Sequence, residues 1–225
     1  MATFPRTRTP TPQRLVLTGV SWQEYGKFLR AFAGRRAVRL TYDRGVLEIM
    51  SPLHEHETDV DFLGQLAVAL TEEMGLTRKA GGSTTLRRRK RRRGLEPDRC
   101  YWIASEPLVR GKRDINLHKD PPPDLAIEVD ITRSSLDRLT LYGALGVPEV
   151  WRYDGEVLRV YHRREGGTYE EAPDSLAFPF LPVQELVRFV EQGQQSDDTA
   201  VARAFQEWVR LQILPRVSGG EQRQP

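Results

Sequence analysis

Apolar positions along the chain fall into blocks of helical and of strand period. From Ser21 to Ala33, the residues Trp22, Tyr25, Phe28, Leu29 and Phe32 recur at steps of three and four, which predicts a helix with one buried face. Ala37–Tyr42 and Val46–Met50 then read as strands joined by the turn Asp43-Arg44-Gly45. Ser51-Pro52 ends that hairpin, and Val60, Phe62, Leu63, Leu66, Val68 and Leu70 mark a second helix from Glu55 to Met74. A strand ending near Leu86, a basic run and Gly94 suggest another hairpin with the basic run at its tip. Strands follow over Arg99–Ala104 and Asp124–Asp130, separated by a polar loop and the breaker Pro121-Pro122-Pro123.

The segment Ser134–Gly146 reads as a helix with Ser134 or Ser135 as N-cap and Gly146 as C-cap. Asp154-Gly155 joins the strands Glu149–Tyr153 and Val157–Tyr161, and a last short strand lies near Tyr169. Helices over Val183–Glu191 and Thr199–Leu214 close the chain, and the polar residues after Pro215 read as a loose tail. This order predicts an α/β (α+β) fold, a mixed β-sheet flanked by helices. We expect a flexible Pro-, Thr- and Arg-rich arm over residues 1–13, one domain over 14–195, and a C-terminal helix with its tail over 196–225.

Composition narrows the class. The 225 residues are 39% hydrophobic and 29% charged, ordinary for a globular chain. One cysteine, Cys100, excludes an intramolecular disulfide and a cysteine-rich zinc site. No stretch has the apolar core of a signal peptide or the length of a membrane span, so a cytoplasmic protein is expected. The net charge is +3, but Arg87, Arg88, Arg89, Lys90, Arg91, Arg92 and Arg93 alone carry +7, leaving −4 on the rest. Such a run either attracts a nucleic-acid backbone by counterion release or is a solvated loop.

Carboxylates carry the candidate chemistry. Asp124, Glu128 and Asp130 sit at even spacing on one strand and therefore share a face, opposite Leu125, Ile127 and Val129. Three acids on a likewise internal strand are costly unless they are paired, hydrated or bound to a cation. Hard divalent cations need only one or two protein carboxylates, and Asp98, after Pro97, opens the neighbouring strand. The bland alternative is that Asp98 and Asp124 merely start strands after prolines, with Glu128 paired to an arginine.

At these residues the chain resembles the Uma-two family of restriction endonucleases, related to the PD-(D/E)XK nucleases. The likeness rests on GLEPDRCYWI and on PPPDLAIEVDITRSSLDRLTLYGALGVPEVWRYDG, with further similarity in GVSWQEY, LEIMSPLHEHE and GGSTTL. It implies a restriction-endonuclease-like fold and hydrolysis of phosphodiester bonds in nucleic acid, with DNA the expected substrate and RNA left open, with Mg2+ or Mn2+. Asp98 and Glu128 match the family's metal-binding acids, and Asp124 is a third candidate ligand. His56 matches a histidine that recurs in the family, and Glu48 is a weaker acidic candidate. A homodimer would suit cutting of both strands.

One departure matters. The lysine position two residues after Glu128 holds Asp130, and the family's alternative basic residue, four before Tyr142, is Arg138. A guanidinium can stabilise phosphoryl charge but holds its proton too tightly to act as a base. Arg138 is therefore expected to stabilise charge, leaving deprotonation to water acidified by the cation. A second function class keeps the fold without catalysis, as a nucleic-acid-binding module of nuclease ancestry. Other residues read as structural: His54 and His56 share no helix face for zinc, Ser134-Ser135 caps a helix, and Tyr142, Trp151 and Cys100 are core. Gly81-Gly82 lacks the Lys-Ser/Thr ending of a phosphate loop.

Overall fold

In the computed structural model, residues 13–35, 38–51, 54–130 and 134–220 are described. Residues 1–12 of the expected arm, and 221–225 of the expected tail, lie outside them. Two sheets organise the fold. The first has β1 (Gln13–Leu17), β2 (Arg39–Asp43), β3 (Val46–Ser51), β5 (Leu86–Arg88) and β6 (Arg93–Leu95) in the order β1-β3-β2-β6-β5, all antiparallel. The second has β4 (Lys79–Ala80), β7 (Arg99–Trp102), β8 (Leu125–Val129), β9 (Glu149–Tyr153), β10 (Leu158–Arg163) and β11 (Tyr169–Ala172) in the order β11-β10-β9-β8-β7-β4. Only its β8–β9 pair is parallel.

The expected mixed sheet is the second of these, and the antiparallel first sheet is an addition to it. β1 was not expected at all: Gln13, assigned to the arm, opens a strand paired with β3. It is an exposed edge strand with a short pattern, Leu15 and Val16 facing solvent, so no period of burial marks it.

Helix α1 (Trp22–Ala31) starts in a capping box between Ser21 and Glu24, and packs Trp22 and Tyr25 on Tyr42 of the first sheet. Helix α2 (His54–Glu73) covers the second sheet, burying Val60, Leu63, Leu66 and Leu70 against Leu125, Ile127 and Val129. The strand alternation expected for β8 is thus observed, and it leaves Ala126 and Glu128 facing the opposite side. A short helix α3 (Glu106–Val109) follows β7. Parallel pairing of β8 and β9 requires a crossover, which is α4 (Arg138–Leu145). Its Leu141, Tyr142 and Leu145 pack with Trp102 and Val150 between α4 and the sheets.

Helix α4 begins later than expected. Its N-cap is Asp137, which accepts from Thr140 N, because Ser134 and Ser135 are engaged by Glu48 instead. Gly146 ends it in the left-handed conformation (φ 89°), as the sequence suggested. Helices α5 (Glu185–Gly193) and α6 (Asp198–Trp208) bring Leu186, Phe189, Val201 and Phe205 into the same core as α2. A π-helical turn (Val209–Ile213) runs on into α7 (Leu214–Gly220), so helix continues past Pro215 where a loose tail was expected. No helix among the described residues is long and apolar enough to cross a membrane.

Candidate active site

The two sheets meet where β7 begins and β8 ends, and four charged side chains from separate elements converge there. Asp98 lies just beyond the last pair of the β7–β8 ladder, Arg99 opposite Ile127. Its Oδ2 accepts from the Val129 amide at 2.9 Å and lies 3.2 Å from Nε2 of His56, in the first turn of α2. Glu128, on β8, accepts from Arg138 Nη2 at 2.7 Å and from the Tyr142 hydroxyl, both on α4. Arg138 also donates to Thr41 Oγ1 of β2 at 2.9 Å and to the Glu96 carbonyl at 2.8 Å. One guanidinium therefore ties α4 to both sheets. Asp98, Glu128, His56 and Arg138 are all buried.

Burial of four ionisable groups is tolerable because they form two opposite-charge pairs. Burial acts to raise Asp98, but the hydrogen bond and charge of His56, helped by Arg138 and the Val129 amide, hold it below its ordinary value. Burial acts to lower His56, yet Asp98 and Glu57 together lift it to about 10, which keeps the imidazole protonated. Its Nδ1 is 3.6 Å from Glu57 Oε1 and makes no hydrogen bond. Burial, reinforced by the Asp98 charge and resisted by Arg138, pushes Glu128 up to about 7. Arg138 stays cationic, raised by the carboxylate beside it against the effect of burial.

The other candidates are placed elsewhere. Asp124 precedes β8, roughly 13 Å along the strand from Glu128 at ~3.3 Å per residue. It accepts from the amides of Ile103 and Ser105 at 2.7 and 3.0 Å, fixing the turn after β7. Shared facing alone did not bring it to Asp98, because the separation along the strand is too great. Glu48 binds Ser134 Oγ (2.6 Å) and the Ser135 amide (2.8 Å) and so anchors the chain leading into α4. Asp130, at the superfamily lysine position, is ion-paired with Arg152.

Two members of the cluster were missed. Tyr142 was read as core, and it is buried, but its hydroxyl reaches Glu128; its spacing of four from Arg138 places both on one helix face and was the available signal. Thr41 gave no signal, since its partner is 97 residues away.

The donor set suits a hard cation. Among the described residues, no recorded hydrogen bond uses Asp98 Oδ1 or Glu128 Oε2, which leaves each acid one oxygen to offer. No group of three or more His, Cys, Asp or Glu is arranged as a ready-made metal cage among the described residues.

The basic run forms the tip of the β5–β6 hairpin, with Arg89–Arg91 in a 3-10 turn. Arg87, Arg89, Lys90, Arg91 and Arg92 are exposed, Arg88 is half-buried, and Arg93 is paired with Asp43 at 2.9 Å.

The sequence profile of the Uma2 (Uma-two) family, described as "Putative restriction endonuclease", matches residues 22–202. A crystal structure described as a "putative nuclease belonging to DUF820", from Anabaena variabilis ATCC 29413, superposes with a TM-score of 0.50 at 16% identity, over 73% of this chain and 97% of that one. At that identity the likeness is one of fold. Among functionally curated proteins there is no match.

Proposed function

The chain belongs to the Uma2 family of restriction-endonuclease-like proteins, and from that premise we propose that it is a divalent-cation-dependent endonuclease acting on DNA. The observation that carries this reading is the buried pair of acids, Asp98 and Glu128, each with its own cationic partner, at the meeting of two sheets.

A hard divalent cation on the free oxygens of Asp98 and Glu128 would neutralise phosphate charge and acidify an attacking water. Arg138 holds a fixed positive charge beside Glu128 and is oriented by Thr41 and the Glu96 carbonyl, so it meets developing phosphate charge without reorganising. His56, protonated, acts as a positioning residue that keeps Asp98 ionised; at a value near 10 it is no general base at neutral pH. Tyr142 fixes Glu128 from the other side. The exposed arginines of the hairpin add affinity for the phosphate backbone without reading sequence. A two-fold pair of chains would present two such sites to the two strands of a duplex.

The test is cleavage of supercoiled, linear and single-stranded DNA, and of RNA, with Mg2+ or Mn2+, by the wild type and by Asp98→Asn and Glu128→Gln. Cation-dependent DNA cutting lost in both variants is the expected result. Wild-type protein that binds DNA but cuts none of these substrates with either cation would leave a binding module of nuclease ancestry, the reading that Asp130 at the lysine position favours.

A further inference from the structure

Beside the acidic pair, on the far side of α4, lies a second cavity of about 470 Å3 that the cluster above does not use. Three arginines reach it from different elements: Arg88 of β5, Arg91 of the hairpin tip and Arg163 of β10. Strand alternation separates Arg88 from the exposed Arg87, so this lining is not simply the solvated run. Among the described residues, none of the three has a carboxylate partner; Arg163 Nε is held by the Gly143 carbonyl at 3.0 Å, and Arg88 Nε is buried without a hydrogen bond. Arg93 also lines the cavity but is spent on Asp43. The lining acid, Asp137, has both oxygens engaged by Thr140.

Gly143, Gly146, Gly166 and Gly167 contribute backbone to the lining, beside Leu139, Ala144 and Tyr169. A Cβ on Gly146 would fall 3.5 Å from Arg88 Nη2, and one on Gly167 would fall 3.3 Å from Arg163 Nη2. A side chain at Gly167 would press on the Arg163 guanidinium, whereas one at Gly146 would make only ordinary contact with Arg88. Three like charges around one concave space repel one another unless an anion joins them, and in keeping with this, burial and then the charges of Arg91 and Arg163 push Arg88 below its ordinary value.

We propose that Arg88, Arg91 and Arg163 form a phosphate-binding cradle, separate from the Asp98–Glu128 pair, that holds one phosphate of a nucleic-acid strand. That the phosphate belongs to nucleic acid rests on the endonuclease reading; that the cradle takes a phosphate oxyanion does not. Bidentate guanidinium–phosphate contacts suit it chemically. Asp137, the N-cap of α4, lines both this cavity and the cleft beside Arg138. The cradle and the cleft beside Arg138 thus share a wall at the start of α4.

The experiment uses the full chain in EDTA, so that binding is read without cleavage. Inorganic phosphate is titrated by thermal shift, and 3′-labelled oligonucleotides with a 5′-phosphate or a 5′-hydroxyl are titrated by anisotropy at several salt concentrations. Arg91→Gln touches an exposed side chain and leaves the fold unburdened; Arg163→Gln and Arg163→Lys test the inner wall. We expect the Gln variants each to weaken oligonucleotide binding about tenfold and to lower the salt slope by about one, to abolish the phosphate-induced shift, and Arg163→Lys to recover most of it. A wild-type preference for the 5′-phosphate that the Gln variants lose identifies a terminal phosphate; equal affinity for both ends, lost in the variants, identifies an internal phosphodiester. Phosphate and oligonucleotide binding unchanged in Arg91→Gln and Arg163→Gln, or no phosphate binding by the wild type, overturns the cradle. Absence of cleavage with the cradle's binding intact overturns only the nuclease reading.

Discussion

Replacing Glu128 by Gln should make the cation-free protein more stable at pH 8, although it removes one half of a buried ion pair. Glu128 stands at about 7 in the fold against an ordinary 4.5, because burial and the Asp98 charge outweigh Arg138. A carboxylate raised in this way contributes its stability below 4.5 and loses it as pH climbs through 7. At about 1.4 kcal/mol per pH unit, ionising it inside the fold costs on the order of 3 kcal/mol by pH 8. Gln is the isostere of the protonated acid, and its Oε1 can still accept from Arg138 and Tyr142. Urea melts at pH 5 and pH 8 in EDTA should therefore find the two proteins nearly equal at pH 5, with Glu128→Gln ahead at pH 8 by up to ~3 kcal/mol. Comparing the two proteins cancels the slope from His56, which both share. Saturating Mg2+ should then lift the wild type alone, by ~2.7 kcal/mol at a hundred times Kd. A variant about 3–5 kcal/mol less stable than wild type at pH 8 is what loss of a net-favourable buried pair gives, and that result would refute the reasoning.

Three further substitutions test neighbouring contacts by the same melts. His56→Gln should destabilise most at pH 6, by ~3–5 kcal/mol for a broken buried pair, because the charged-imidazole contribution is complete below 6.5 and fades as pH rises through about 10; a gap to wild type that does not shrink toward pH 10 would show that His56 is not charged. Tyr142→Phe should cost ~1.5–3 kcal/mol at pH 8, where Glu128 is an anion accepting its hydroxyl, and less at pH 5. Gly143→Ala should destabilise by at least ~2 kcal/mol, since its Cβ would sit 1.8 Å from the Gly167 carbonyl oxygen; if that approach were loose, the better helix propensity of Ala would instead stabilise by up to ~1 kcal/mol.

How much of this was legible in the sequence depended on whether the cause was local. Helix α1 and the β2–β3 and β9–β10 hairpins follow from periods and turns within a dozen residues, and they are found at nearly the expected bounds. The antiparallel first sheet was not legible as a layer of its own, because β1 joins it through an exposed edge and β6 reaches β2 across about fifty residues. At the site, Asp98, Glu128 and Arg138, which the family resemblance matched position by position, are brought together in one cluster. Asp124 was over-read because a shared strand face says nothing about distance along the strand. Ser134 and Ser135 were taken for helix caps, yet Glu48, 86 residues away from Ser134, claims them. Thr41 carries no local pattern that could announce it.

The position of the cation explains why the missing lysine need not leave the site incomplete. Two residues beyond Glu128 on a strand, a side chain points the same way as Glu128, and a lysine there would lie beside the acid. In this chain Asp130 holds that place and is neutralised by Arg152 from the adjoining parallel strand, so the strand itself supplies no positive charge to Glu128. The charge arrives from α4, where the first helical residue, Arg138, meets the same carboxylate. An arginine delivered this way can be braced from a second sheet, as the Thr41 and Glu96 contacts do, which a flexible strand lysine could not match with its single ammonium. The exchange has a chemical consequence. A lysine could trade its proton during turnover, whereas Arg138 can only hold charge in place, so in the proposed reaction proton movement would fall to water. Glu128 stands near 7 only in the cation-free fold; a cation bound to it would hold it ionised, which leaves that task to water.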